Sequence, residues 1–359
     1  MRLSDYNWRP ASMFVLGYHI VLLFMLPLYF YYCSASWAMW VTSIVLYFAT
    51  GMSITGGYHR FYSHQTYKAH PLVEGLLLFF GSMACQGSAL RWSYEHRIHH
   101  AYVDTDRDPY SIKKGFWFAH IFWIFQHPAP IENKVVSDLM RNRLVMFQHK
   151  YYPYLMFSTN IMAFLLVGWL LNDYLGAFVV SWWLRLFALH HSTWFINSLA
   201  HTWGARTFSS EQTAVDNFVI SLLTFGEGYH NYHHEFQHDY RNGVKPWQID
   251  PTKWIIWILS RVGLVSKLRR VPTEKIVLAE LAEAQRRLEA TLAHPGLTEA
   301  TATYIANAYH SLRQTAQHWT QRKAGQLEVT HEMLSNLRNE IRVATNALRL
   351  PSLRRRQPS

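Results

Sequence analysis

Two short stretches of the sequence concentrate histidines at spacings that suit metal binding. They are HRIHH, with His96, His99 and His100, and GEGYHNYHH, with His230, His233 and His234. Positions i, i+3 and i+4 share one face of an α-helix, so each triplet can aim three imidazoles at one point. Because imidazole suits zinc, copper, iron and nickel, both stretches predict metal ligation.

Two further stretches add histidines to this set. HRFYSH holds His59 and His64, whose spacing of five is a poorer match to an α-helix, so either a helix ends between them or each serves a different ion. NSLAH holds His201, with Asn197 one turn before it. A metal ion takes about four to six ligands, so nine histidines are too many for one ion and about right for two.

Glu227 lies three residues before His230, a spacing known from carboxylate-bridged metal bundles. The pattern occurs once, and we interpret Glu227 as a partner that orients an imidazole rather than as a ligand. The HExxH pattern is absent, so a zincin-type protease is unsupported.

The elements that must position these residues are apolar. Residues 11–33, 37–58, 152–171 and 176–199 are each long enough to cross about 30 Å of hydrocarbon. The shorter stretch 71–90 is interpreted as a helix lying at or near the membrane interface. Arg185 lies within the fourth span, where a charge is expensive, so it pairs inside the bundle or the helix is shifted.

Basic residues orient these segments. The turns at 34–36 and 172–175 carry no Lys or Arg, whereas the other connections are rich in both. Basic loops stay on the cytoplasmic side, which places both termini and every histidine stretch there. Metal sites at the mouth of an apolar bundle suit chemistry on a lipid tail. A metal transporter, the alternative from another class, predicts ionisable ligands within the spans instead.

The overall composition narrows the remaining classes. The net charge of +11 suits acidic lipid or an acidic partner, and no nucleic-acid-binding module is recognisable, so no nucleic-acid partner is expected. The two cysteines, Cys33 and Cys85, exclude a disulfide framework and a cysteine-rich zinc site. Residues 1–10 are polar and predict no signal peptide.

The chain changes character after Pro272. Residues 273–293, 298–323 and 327–350 predict three soluble helices, and residues 351–359 a basic disordered tail. We therefore expect a transmembrane domain with a cytoplasmic catalytic cap at 1–272 and a helical extension at 273–350. This extension is either a docking module for a partner or the membrane face, or a cap on the catalytic domain.

In their order and spacing, HRFYSH, HRIHH, NSLAH and GEGYHNYHH resemble the membrane fatty acyl desaturases, most closely the stearoyl-CoA (delta-9) type. TDRDPYSIKKGFWFAHI and HDYRNGVKPWQIDPTKW are similar to the family as well, so the likeness covers residues 8–272. It implies an all-α integral membrane protein with four transmembrane helices and a cytoplasmic helical cap that holds two irons. The membrane would be the endoplasmic reticulum or the bacterial inner membrane.

The resemblance also implies residue roles. Its metal ligands match His59, His64, His96, His99, His100, His201, His230, His233 and His234, and Asn197 matches a residue that holds a metal through water. Its substrate tunnel matches Trp92 and Thr193 near the bend, Gln86 and Trp194 near the thioester, and Tyr47 and Gly51 at the closed end. Lys113 and Lys114 are candidate phosphate contacts. Gly87 and the pair Tyr94–Glu95 depart from the family pattern, so an acyl-lipid stays open beside acyl-CoA.

The activity that the resemblance implies is oxygen-dependent desaturation of a long-chain saturated acyl thioester, with Fe²⁺ as cofactor and O₂ as co-substrate. It predicts a cis double bond at the delta-9 position. Because the chain has no haem, flavin or iron–sulfur motif, electrons must come from a separate carrier of the ferredoxin, rubredoxin or cytochrome b5 type. A fatty acyl hydroxylase on the same scaffold is the alternative.

Overall fold

The computed structural model describes residues 10–294, 296–324 and 330–349, and most of these residues are helical. They form two compact units. The first runs to Ala205 and includes Gln212–Arg270, and the second contains Arg206–Glu211 and the residues from Val271 on. The predicted disordered tail, 351–359, lies outside the described residues.

Three helices of the first unit are long and apolar enough to cross a membrane, which indicates a membrane protein. They are α1 (Pro10–Tyr32), α2 (Trp37–Met52) with the π-helix Ser53–Ser63 that continues it, and α7 (Arg143–Leu171). Many of their large apolar side chains are exposed, as lipid-facing side chains are, including Phe24, Val45 and Leu165. They correspond to the first three spans expected from the sequence, although α7 begins nine residues earlier.

The fourth apolar segment is helical but changes its winding. α8 (Tyr174–Gly176) leads into a second π-helix, Ala177–Leu184, and then into α9 (Arg185–Ser198) and a 3₁₀ turn, Leu199–His201. Arg185 is buried and pairs inside the bundle: Nη2 donates to Oδ1 of Asn160 at 2.6 Å, and Nε donates to the Ser181 carbonyl at 2.9 Å. The first of our two interpretations of Arg185 is therefore confirmed, and these bonds offset part of the cost of burying its charge.

Between the second and third spans lie shorter elements. They are β1 (Lys68–Ala69), α3 (Pro71–Met83), α4 (Ala89–Tyr102), the 3₁₀ helix Ile112–Lys114, α5 (Phe116–His120), the 3₁₀ helix Phe122–Phe125 and α6 (Ser137–Met140). Of these elements, α4 carries His96, His99 and His100. With 13 residues, α3 spans about 20 Å at 1.5 Å per residue, too short to cross a bilayer.

After the spans the chain returns to the histidine-bearing side of the first unit. The elements there are α10 (Phe218–Leu223), α11 (His230–Glu235), α12 (Pro251–Arg261) and β2 (Val265–Ser266), which pairs antiparallel with β1. Side chains fix the starts of the helices, because Ser88 caps α4, Asn217 caps α10 and Asp250 caps α12.

The second unit contains α13 (Thr273–Leu292), α14 (Glu299–Ala324), α15 (His331–Asn346) and a final 3₁₀ turn, Ala347–Arg349. The three helices expected from the sequence are thereby confirmed. They share an apolar core that includes Leu281, Leu288, Ile305, Leu312 and Leu337. The segment 206–211 belongs to this unit, since Glu283 on α13 accepts hydrogen bonds from the Ser210 backbone N–H and hydroxyl.

Candidate metal centre

The nine histidines singled out from the sequence form two groups whose ring nitrogens converge. The first, the five-histidine cluster, contains His59, His64, His96, His100 and His233. The second, the four-histidine cluster, contains His99, His201, His230 and His234. Within each group, one ring nitrogen per residue lies within 4.8 Å of the others, and seven of the nine rings are buried.

Neither triplet aims at one point, which corrects the sequence expectation. On α4, His96 and His100 go to the five-histidine cluster and His99 goes to the other. On α11, His230 and His234 go to the four-histidine cluster and His233 crosses over. In both helices the i, i+4 pair stays together, because those positions differ by about 40° around the helix axis while the i+3 position lies about 60° to the other side.

The awkward spacing of His59 and His64 is resolved by the π-helix that ends the second span. There the backbone N–H of His64 donates to the His59 carbonyl at 3.1 Å, an i to i+5 bond. Residues five apart share a face of a π-helix, and both rings therefore enter the same cluster. Of the two alternatives left open by the sequence, a helix end between them is confirmed, because the π-helix ends at Ser63, whereas one ion each is wrong, because both rings belong to one cluster.

Two carboxylates set the orientation of one imidazole in each cluster. Glu227 Oε2 lies 3.0 Å from His59 Nδ1, and Asp108 Oδ1 lies 2.9 Å from His99 Nδ1. Since a carboxylate accepts the proton at Nδ1, each ring turns the lone pair of Nε2 into its cluster. The expected contact of Glu227 with an imidazole is present, but with His59 rather than with its neighbour in sequence, His230.

Asp108 and a second support, at His201, were not predicted from the sequence. The His201 ring bonds through Nδ1 to Thr213 Oγ1 at 2.8 Å, and the Thr213 hydroxyl donates to Asp104. Asp108 lies in the segment TDRDPY, which was noted as similar to the family without a role, and Asp104 immediately precedes that segment. Two aspartates shortly after a histidine triplet were the available signal.

Glu227 belongs to a buried ionic network. Its Oε1 accepts from Arg60 Nη2 at 2.9 Å, and Asp250 accepts from the same guanidinium at 3.0 and 3.1 Å. Burial raises the pKa of the Glu227 carboxyl, but the neighbouring His59 and Arg60 lower it by more than burial raises it. The pKa therefore falls to about 2. The group is therefore ionised at neutral pH and acts as an acceptor for His59.

The residues fit a bound cation in each cluster. His233 Nε2 lies 2.9 Å from His59 Nε2 and 3.0 Å from His100 Nε2, and His234 Nε2 lies 3.0 Å from His230 Nε2. A single N–H proton cannot form hydrogen bonds to several nitrogen lone pairs that face one another. Nitrogens that all bind one ion at about 2.1 Å, by contrast, lie roughly 3 Å from each other, as these do. Burial lowers the pKa of His96, His233 and His234 well below the usual range, which keeps these rings neutral and able to ligate.

A cavity of about 1410 Å³ passes beside both clusters. His59, His96, His99 and His230 line it, together with Asn197. Five of the residues expected to contact substrate line it too: Gln86, Trp92, Thr193, Trp194 and Lys114. Tyr47, Gly51 and Lys113 are absent from its wall.

The wall of this cavity carries both charged and apolar side chains. Arg91, Arg107 and Lys114 are among the charged side chains, and Trp92, Met156 and Ile54 are among the apolar ones. Gln86 Nε2 donates to Thr193 Oγ1 at 2.9 Å, joining α9 to the loop before α4. The arrangement offers an apolar chain a path past two metal-binding clusters, with basic groups for a polar head.

Comparison with known proteins identifies the scaffold. The sequence model for "fatty acid desaturase" matches residues 34–257. The chain belongs to the fatty acid desaturase family. It is 42% identical over 252 residues to a "probable acyl-CoA desaturase" of Schizosaccharomyces pombe, covering 69% of this chain and 53% of that protein.

Two other relatives share the desaturase domain. "Acyl-CoA desaturase 1" of Saccharomyces cerevisiae is 40% identical over 249 residues, 68% of this chain and 49% of its own length. "sn-1 stearoyl-lipid 9-desaturase" of Anabaena variabilis is 33% identical over 268 residues, 73% of this chain and 94% of its own. The match thus spans about half the length of the two yeast relatives and nearly all of the cyanobacterial one.

Proposed function

We propose that this desaturase-family chain introduces a cis double bond into a long-chain saturated fatty acyl group. The observation that carries the proposal is the cavity, which brings an apolar path beside both histidine clusters. The overall change consumes O₂, two electrons and two protons, removes two hydrogens from adjacent methylenes, and releases two waters.

The clusters are proposed to hold two Fe²⁺ ions. The five-histidine cluster would bind one, and the four-histidine cluster with Asn197, acting through water, the other. The irons would supply the oxidising chemistry with O₂. The protein supplies ligand geometry: Glu227 orients His59, and Asp108 orients His99.

The substrate contacts follow from the same cavity. Trp92 and the Gln86–Thr193 pair lie on its wall, and we assign them to positioning the acyl chain so that the reacting methylenes face the clusters. Trp194 would lie near the thioester, and Lys114, with the neighbouring Lys113, would attract a phosphate-bearing head. The names of three relatives favour an acyl-CoA as the substrate. The name of the Anabaena variabilis relative, a stearoyl-lipid 9-desaturase, favours reaction at the delta-9 position.

The membrane arrangement is part of the proposal. The Ala177–Leu184 π-helix and α9 would form a fourth crossing beside the three apolar helices, with α3 at the interface. Both termini and the histidine clusters would then lie in a cytoplasmic cap. A separate ferredoxin, rubredoxin or cytochrome b5 type carrier would deliver electrons, and the helical extension after 272 would be a distinct domain.

The decisive test is expression in a host strain that cannot make unsaturated fatty acids, with an electron donor and iron supplied. We expect growth without added unsaturated acid, and a double bond at carbon nine when products are derivatised and read by mass spectrometry. Products that gain one oxygen instead of losing two hydrogens would establish the hydroxylase. A His233→Ala variant that loses metal uptake while the lipid profile is unchanged would favour a transporter.

A further inference from the structure

On the second span, the wall of the cavity includes residues of the π-helix but not the two residues that the family resemblance assigned to the closed end. Ile54 and Thr55 line the cavity, but Gly51 and Tyr47, one and two turns further from His59, do not. Gly51 has no side chain with which to stop an acyl chain. Another group must therefore fill the space beside it.

The ring of Phe225 fills that space. A Cβ built on Gly51 would overlap this ring, 2.8 Å from Cε1 and closer to two other ring atoms. The ring is 4% exposed and lies 5.0 Å from the Tyr47 ring and 5.4 Å from the Phe48 ring, centroid to centroid. Phe225 thus occupies the volume that the glycine leaves open.

The backbone holds this ring in place. Phe225 has a φ of +57°, which a bulky side chain rarely adopts. Its carbonyl accepts from Thr252 Oγ1 at 2.9 Å, and Thr252 Oγ1 lies 2.7 Å from Oγ1 of Thr55 on the cavity wall. Two hydrogen bonds therefore connect the wall of the cavity to Phe225.

We propose that Phe225 is the stop that limits the length of the acyl chain, in place of a side chain at position 51. This inference rests on the proposed desaturation. A saturated chain entering past the clusters meets Ile54 and Thr55, and further methylenes need the volume that the Phe225 ring holds. One extra methylene in such a pocket changes selectivity by about 10–200-fold, so one ring is enough to set a limit.

Phe225→Gly is the sharpest test, because glycine adopts the positive φ without strain while the ring is removed. Cells or membranes carrying the variant are given a graded series of saturated acids, and unsaturated products are measured by chain length. From acids two carbons longer than the longest that the wild-type protein converts, we expect the variant to form at least about tenfold more unsaturated product than the wild type does. Adding Gly51→Val to this variant refills the space and should reverse the shift.

Two controls separate this effect from general damage. Phe164→Ala removes a ring from the other end of the bundle, outside the cavity wall, and should leave the chain-length profile unchanged. Phe225→Trp should shorten the limit, which keeps the inference testable if the glycine variant does not accumulate. If both Phe225 variants keep their iron and their activity and show an unchanged chain-length profile, the inference about Phe225 is wrong while the proposed desaturation stands. Absence of any desaturation by the wild-type chain would overturn the proposed function and this inference with it.

Discussion

Replacing Glu227 by glutamine should empty one metal cluster and spare the other. Glu227 Oε2 faces Nδ1 of His59, and an amide nitrogen at that position would present a second donor to the ring. His59 would then lose the contact that turns Nε2 into the five-histidine cluster. His99, in the four-histidine cluster, keeps its own carboxylate, Asp108.

The size of the effect follows from what remains around Arg60. The guanidinium keeps two bonds to Asp250, at 3.0 and 3.1 Å, and one to the Tyr240 carbonyl at 2.8 Å. The buried charge is therefore still paired, and the loss of about 3–5 kcal/mol typical of an orphaned buried ion should not appear. Loss of an orienting partner typically lowers metal affinity about 10–100-fold, or about 1.4–2.7 kcal/mol.

The assay combines bulk iron stoichiometry under a graded chelator challenge with anomalous X-ray scattering, which reports each cluster separately. Glu227→Gln should lose iron from the five-histidine cluster first. The matched variant Asp108→Asn should lose it from the four-histidine cluster first. Equal loss from both clusters in either variant, or full retention in both, would refute the reasoning that each carboxylate serves one cluster.

Two other variants test the packing around the site and the extension. Glu283→Ala removes a 1% exposed carboxylate that accepts a hydrogen bond from the Ser210 backbone N–H, so the second unit should lose about 1–3 kcal/mol of stability, measured by limited proteolysis. The control is Glu289→Ala, at an exposed position of the same helix. Equal resistance of the two variants to the protease would contradict the expected role of Glu283. Gly228 lies in the turn before α11, and Gly228→Ala places a Cβ 2.6 Å from the Asn217 carbonyl oxygen and the Ser221 Cα of α10. This overpacking should cost about 1–3 kcal/mol and lower the iron content of the four-histidine cluster. Gly75→Ala, with nothing within 4 Å, should keep its iron, and an unchanged Gly228→Ala protein would show that the turn can relax.

Several features could be predicted from the sequence because they depend on local composition. The apolar stretches are long enough to be helical whatever surrounds them, and the three helices of the extension follow from their apolar periodicity. The metal-binding interpretation needed only side-chain chemistry, since nine imidazoles grouped at helical spacings have few other uses. Glu227 could be assigned to an imidazole because buried ligating histidines need an acceptor at the second nitrogen.

The partition of the histidines was decided only by the tertiary structure. Local spacing treats His96, His99 and His100 as one set, but the positions of α4 and α11 relative to the π-helix decide which cluster each ring joins. The π-helix itself, which unites His59 with His64, leaves no simple mark in the pattern of apolar residues. Phe225 reaches Gly51 across more than 170 residues of chain, so its role in closing the cavity depends on packing that no local pattern encodes. The sequence by itself determined which chemistry is present, and the fold decided where each group acts.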